Sequence, residues 1–190
     1  MNIGFQGTEG SYSQQALISC FGKNEKNIGF TTFEDVFRAL KKKEINCAFL
    51  PVENSIAGSV APVYDLLLSE DVYAISEYYF EIKHCLLVHE EVELKNIEIV
   101  YSHPVALEQC REFIFENNMK PIQKYDTAGS AELIAKTENP HKAAIASSLC
   151  AEIYGLKIIA ENIASNVNNY TKFLVVVIFL VNLISINYIY

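Results

Sequence analysis

The chain has 190 residues, 51% of them hydrophobic and 20% charged, with a formal net charge of −8. That is an ordinary soluble globular composition, long enough for one good core or two small lobes. It excludes a general nucleic-acid binder, which needs a basic surface to release counterions. An anionic ligand must therefore be held by local groups, against the field of the whole molecule.

Strands and helices alternate from the first residue. "NIGF" reads as a strand, and Ser11 stands where it can cap a helix from about Tyr12 to Phe21. "NIGFTTF" is a second strand, after which Thr32 caps "FEDVFRALKKK", whose Phe33, Val36, Phe37 and Leu40 repeat at helical spacing. "NCAFLPV" is too apolar for an exposed edge strand, and "VAPVYDLLLSE" is a helix that tolerates Pro62 in its first turn. "VYAISEYYFEIKHCLLVH" then alternates like long β-structure. The β-α alternation restarts with strand "IEIVYS", helix "PVALEQCREFIFENN", strand "PIQKY", helix "SAELIAKTE" and strand "KAAIAS". Helix "SLCAEIYG" is stopped by Gly155, strand "LKIIAENI" runs into the polar "ASNVNNYTK", and an uncharged apolar run closes the chain. Two βα blocks joined by extended segments predict two α/β lobes with open sheets and two crossovers. One boundary is expected near Ser76 to Phe80 and the return around Ala164 to Thr171.

Five cysteines (Cys20, Cys47, Cys85, Cys110, Cys150) stand singly, which reads as reduced, mostly buried thiols in a cytoplasmic protein. The start "MNIGFQG" has no basic n-region and argues against export. The two arginines, Arg38 and Arg111, belong to amphipathic patterns and are expected on solvated helix faces. His84, His89, His103 and His141 share no metal-ligand spacing, and no phosphate or dinucleotide loop is present.

Three stretches break the apolar pattern in the same way: "GTEGSYS", "PVENSIAGSV" and "YDTAGSA" each pass through Gly-Ser into helix-forming residues. In open α/β sheets ligands sit beyond the carboxyl ends of strands, where helix N-termini offer unpaired N–H groups to an anion. The three turns therefore suit a small acid with more than one carboxylate, although Gly-Ser is also simply a good helix start. Residue chemistry alone stops at a two-lobed binder of a small anionic ligand.

The ordered set "GTEGSYS", "PVENSIAGSV", "YSHPVALEQC", "DTAGSA", "AAIAS", "YGLKIIAENI" and "NNYTKF" resembles the prephenate dehydratase family over roughly Met1 to Val176. The resemblance implies an α/β, two-lobed, type II periplasmic-binding-protein-like fold with the active site in the cleft between lobes. Lobe 1 would take about 1–76 and 166–190, and lobe 2 about 77–165, within one catalytic domain over 1–190. The implied activity is that of a carbon-oxygen lyase in phenylalanine biosynthesis, converting prephenate to phenylpyruvate, water and CO2 with no cofactor and no metal. Prephenate and a second copy of the chain are the implied partners, with neither nucleic acid nor membrane.

The family's Thr-Arg-Phe motif falls on Thr171, Lys172 and Phe173. Thr171 would serve the departing hydroxyl and Phe173 would pack beside it as structural support. Lys172, with Glu53, Asn54, Ser55, Gly58, Ser11, Thr127, Gly129 and Ser130, would contact substrate. Lysine in place of arginine keeps the charge and loses the planar fork that grips carboxylate in two places. Many relatives continue into a phenylalanine-binding ACT domain, which the apolar tail here does not resemble, so none is expected. Phe173 to Val176 are expected to complete a lobe 1 strand, and the tail beyond to lie in a self-association surface. The competing reading is a non-catalytic small-anion binding module on the same fold; a membrane-tethered domain rests on the tail alone.

Overall fold

The chain leaves its first α/β unit after Glu81 and returns to it at Tyr170. In a computed structural model residues 1–90, 92–137 and 139–178 are described. Of the described residues, one unit holds Met1–Thr8, Tyr12–Glu81 and residues 170–178; the other holds Glu9–Ser11 and the described part of Ile82–Asn169.

In chain order the elements are β1 (Asn2–Gln6), α1 (Tyr12–Phe21), β2 (Lys26–Phe30), α2 (Phe33–Lys41), β3 (Cys47–Asn54), β4 (Gly58–Ser59), α3 (Ala61–Ser69) and β5 (Tyr73–Glu81). They continue with β6 (Cys85–Val88), β7 (Ile99–Ser102), α4 (Pro104–Gln109), α5 (Arg111–Glu116), β8 (Lys120–Gln123) and α6 (Thr127–Ala135). The last are β9 (Lys142–Ala146), α7 (Ser148–Tyr154), β10 (Lys157–Glu161) and β11 (Tyr170–Val177).

Several boundaries follow from local chemistry. The Thr32 side chain accepts the Asp35 N–H at 3.1 Å and starts α2. Pro62 sits in the first turn of α3, where its missing N–H costs nothing. Gly155 ends α7 in the left-handed region, at φ 66°. Arg38 and Arg111 lie on exposed faces and pair with Asp35 and Glu108 one turn away.

Elsewhere tertiary structure overrides the local pattern. The helix expected over 104–118 is two helices, because Ser165 N–H takes the Gln109 carbonyl at 2.8 Å and removes it from the helical ladder. The long β-segment 72–89 is likewise two strands in different sheets, β5 and β6. The helix expected from Ser130 begins at Thr127, since the Asp126 carboxylate caps it by accepting the Gly129 N–H.

In the first unit the order is β2-β1-β3-β11-β5, with β4 paired to β3. β1 runs parallel to β2 and β3, while β11 is antiparallel to both of its neighbours. In the second unit the order is β10-β6-β9-β7-β8. Helices cover both faces of the first sheet: α2 and α3 pack over Leu50, Leu174 and Val176, and α1 packs over Phe49, Phe173 and Val175. β11 is thus apolar on both faces from Phe173 to Val177, as a strand between two others requires. Residues 179–190, the bulk of the apolar tail, lie outside the described residues.

Phe173 is 1% exposed and stacks on Phe49 with ring centroids 4.6 Å apart. Replacing it with alanine removes that contact in a close-packed layer, so Phe173→Ala is expected to cost about 3–5 kcal/mol in urea unfolding. A loss below about 1 kcal/mol would show that the layer collapses around the gap.

Candidate active site

β3 runs out of the core at Asn54 and turns through residues 55–57 into β4. The turn is organised by one side chain. Asn54 Oδ1 accepts the N–H groups of Ile56 at 3.0 Å and Ala57 at 2.8 Å, an Asx-type turn. Those two bonds fix which end of the amide is oxygen, so Nδ2 must face β11. There it donates to Thr171 Oγ1 at 3.0 Å and to the Tyr170 carbonyl at 3.2 Å. Ser55 completes the junction: its N–H donates to the Tyr170 carbonyl at 2.8 Å, and its Oγ accepts the Tyr170 N–H at 3.0 Å. Gly58 closes the turn at φ 85°, a conformation that a side chain would strain.

Thr171 is opposite Asn54 in the sheet register and is 8% exposed. Because Asn54 is the donor in their bond, the Thr171 hydroxyl proton is not engaged by it. A hydroxyl held in this way by its oxygen has its proton directed away from Asn54.

Lys172 is placed differently. Successive residues of a strand point to opposite faces, so Lys172 lies on the α2–α3 side of β11 and Thr171 on the α1 side. The Lys172 ammonium is ion-paired with Glu77 and lies 5.4 Å from the centre of the Tyr79 ring. The hydrogen bonds to Glu77 and Tyr79 raise its pKa, so it stays charged. Glu53 is its register partner on β3 and is exposed.

Of the other two Gly-Ser stretches, Gly10 and Ser11 of the first and the whole of the third belong to the second unit. Gly10 makes a close backbone approach: its carbonyl accepts Ser147 Oγ–H at 2.5 Å and Cys150 Sγ–H at 3.1 Å. A Cβ on Gly10 would lie 2.6 Å from Cys150 Sγ, so this glycine serves packing, with half-buried Ser11 directly after it. At α6 the Gly129 N–H goes to the Asp126 carboxylate, and buried Ser130 donates to the Asp126 carbonyl at 2.8 Å. Both donors are thereby engaged inside the turn, and the cap itself is an anion; Thr127 is half-buried at its start. Of the three stretches, the one at Asn54 places its polar groups on Thr171.

Beyond the expected residues, the second unit buries a polar group that sequence spacing does not reveal. Gln109 Oε1 lies 2.7 Å from His84 Nε2 and 3.1 Å from Asn169 Nδ2. Burial lowers the His84 pKa, the bond to Gln109 opposing the shift in part. The five cysteines are unbridged, and burial pushes Cys20, Cys85 and Cys150 up to about 11 and Cys47 and Cys110 up to about 12. Thiols of that kind are packing groups, not nucleophiles.

The prephenate dehydratase family profile matches residues 3–178. Arogenate dehydratase/prephenate dehydratase 1 of Arabidopsis thaliana is 38% identical over 92% of this chain and 44% of its own length. The chain spans less than half the length of such curated relatives. Among solved structures, prephenate dehydratase from Arthrobacter aurescens, in complex with L-Phe, superposes with a TM-score of 0.86 at 28% identity. It covers 93% of this chain and 60% of that one. GqqA, described as a novel type of quorum quenching acylase, superposes with a TM-score of 0.85 at 31% identity over 93% and 64%. With the family profile matched over residues 3–178 and the fold superposing on solved relatives, this chain belongs to the prephenate dehydratase family.

Proposed function

We propose that the chain carries the dehydratase activity, taking prephenate to phenylpyruvate in phenylalanine biosynthesis. The observation that carries the reading is the Asn54–Thr171 pair, a buried hydroxyl oriented by a donor that is itself fixed by the turn. Prephenate loses its ring carboxylate as CO2. The C–C bonding electrons move into the ring, the C4–O bond breaks, and the departing hydroxide takes a proton and leaves as water. Aromatisation supplies the driving force, and no redox change occurs. Thr171 donates a hydrogen bond to the leaving oxygen as charge develops on it. Thr171 is too weak an acid to surrender its proton outright, so it stays a hydrogen-bond donor and the departing hydroxide is neutralised by a proton from the buffered solvent.

Asn54, Ser55 and Gly58 frame the substrate beside Thr171 in this reading, while Glu53 shares the face of its register partner Lys172. Ser11, Thr127, Gly129 and Ser130 are assigned to carboxylate binding, although the Gly129 N–H and the Ser130 hydroxyl also serve their own turn. We place the protein in the cytoplasm, where five unbridged thiols are stable. Among the described residues no helix is long and apolar enough to cross a membrane. Self-association is part of the same proposal.

Incubating the protein with prephenate and following phenylpyruvate by its absorbance in alkali tests the reading. Turnover supports it; tight prephenate binding without turnover would favour the binding module instead. An acyl-homoserine lactone arm distinguishes the acylase activity named for GqqA. For Lys172, kcat and KM of Lys172→Met are expected to stay within about threefold of the parent, because its charge is committed to Glu77 on the other face of β11. A tenfold rise in KM with unchanged kcat would instead place the ammonium on substrate.

A further inference from the structure

We propose that His84, Gln109 and Asn169 form a positioning network that pins the register of β11 and thereby keeps Thr171, not Lys172, opposite Asn54. The three side chains converge on one atom. Gln109 Oε1 has two lone pairs and meets two donors, Asn169 Nδ2 and His84 Nε2, so the imidazole is the Nε2–H tautomer. His84 and Asn169 are 2% and 1% exposed, which makes each missing bond costly.

Their places in the chain give the network its role. His84 lies two residues after the chain enters the second unit at Ile82, Gln109 ends α4, and Asn169 is the last residue before β11. Backbone bonds tie the same three points together: Ile82 N–H to the Asn169 carbonyl at 2.7 Å, Ile163 N–H to the His84 carbonyl at 3.2 Å, and Ser165 N–H to the Gln109 carbonyl at 2.8 Å. Residues 162–169 have no helix or strand of their own, so these bonds, with Ile163 buried in the core of the unit, hold the approach to β11.

A strand has a side-chain period of two, and a slip of one residue exchanges its faces. Thr171 is two residues beyond Asn169. One residue of slack at Asn169 would bring the Lys172 ammonium to Asn54 and turn the hydroxyl away. Leu174, Val175, Val176 and Val177 are close in size and apolar on either face, so within the apolar stretch it is Phe173, stacked on Phe49, that opposes such a slip, and the network acts together with it.

The kinetic part of this inference rests on the dehydratase reading; its exchange readout does not. Asn169→Leu keeps the volume and removes the donor. With folding checked by circular dichroism, kcat on prephenate is expected to fall about 10- to 100-fold while KM stays within about threefold. Amide exchange is expected to quicken at residues 170–172 and to stay protected at Val175 and Val176. Unchanged kcat in a folded variant would overturn the proposal, and so would exchange that quickens evenly along β11. Should Asn169→Leu not fold, His84→Phe and His84→Gln carry the test. Loss of turnover in the first with recovery in the second, which restores a donor to Gln109, supports the network; equal turnover refutes it. If the parent does not turn over prephenate, the dehydratase reading fails, and the exchange comparison still decides the register pin.

Discussion

Thr171→Ala is expected to lower kcat on prephenate by about 10²–10⁴-fold with a much smaller change in KM, the loss expected for an oriented donor acting on a leaving group. The size follows from the timing of the interaction. In the ground state the C4 hydroxyl is neutral and can be solvated by water, so the Thr171 bond adds little to binding. In the transition state the C4–O bond is breaking and the oxygen gathers negative charge. A donor already in place then stabilises it without reorganisation, and Asn54 keeps that donor from rotating. Thr171→Ser retains the hydroxyl but loses the methyl group that restricts its rotamers, so it is expected to keep a substantial part of the turnover. Thr171→Val, isosteric and without a hydroxyl, is expected to behave like alanine. Steady-state rates for the three variants check this, and equal kcat for alanine and parent would remove Thr171 from the mechanism.

How much of this was legible beforehand varies with the range of the interaction. The Thr32 cap, Pro62 in a first turn and the Gly155 stop are set by residues within one turn of each other, and a reader of the chain can place them. The Asp126 cap is equally local; taking the helix to start at Gly-Ser passes over the aspartate that accepts the Gly129 N–H. The interruption at Cys110 could not be read, because its cause is Ser165 taking a helix carbonyl. The site divides in the same way. Asn54 and Thr171 are 117 residues apart, and a resemblance between ordered motifs brought them together where spacing could not. The face of Lys172 follows from strand alternation alone, yet treating Thr171-Lys172-Phe173 as one motif hides it. His84 and Gln109 are separated by 25 residues and Gln109 and Asn169 by 60, with no periodicity to link them. A lone histidine just ahead of an apolar strand gives no sign of its partners.

Asn54→Asp is the substitution that separates the fold of the turn from its chemistry. Aspartate is as good as asparagine at organising this kind of turn, because it needs only one acceptor for the N–H groups of residues 56 and 57. The outward atom changes character. Where the amide donated to Thr171 Oγ1 at 3.0 Å, a carboxylate oxygen can only accept, so the Thr171 hydroxyl must reverse and direct its proton at residue 54. In the proposed mechanism that hydrogen bond is the one offered to the leaving oxygen. A new negative charge also stands where a dianionic substrate and a departing hydroxide would be. Both effects act against the transition state, and kcat is expected to fall on the order of 10²–10³-fold. The thermal midpoint should move by only a few degrees, as the two turn bonds remain. Asn54→Ala provides the contrast: it removes the turn bonds as well, so it should lose stability, yet it leaves the Thr171 proton unclaimed. On that argument the alanine variant, once folded, turns over faster than the aspartate variant. The reverse order would mean that Asn54 serves the site by shaping the turn and not by orienting the hydroxyl.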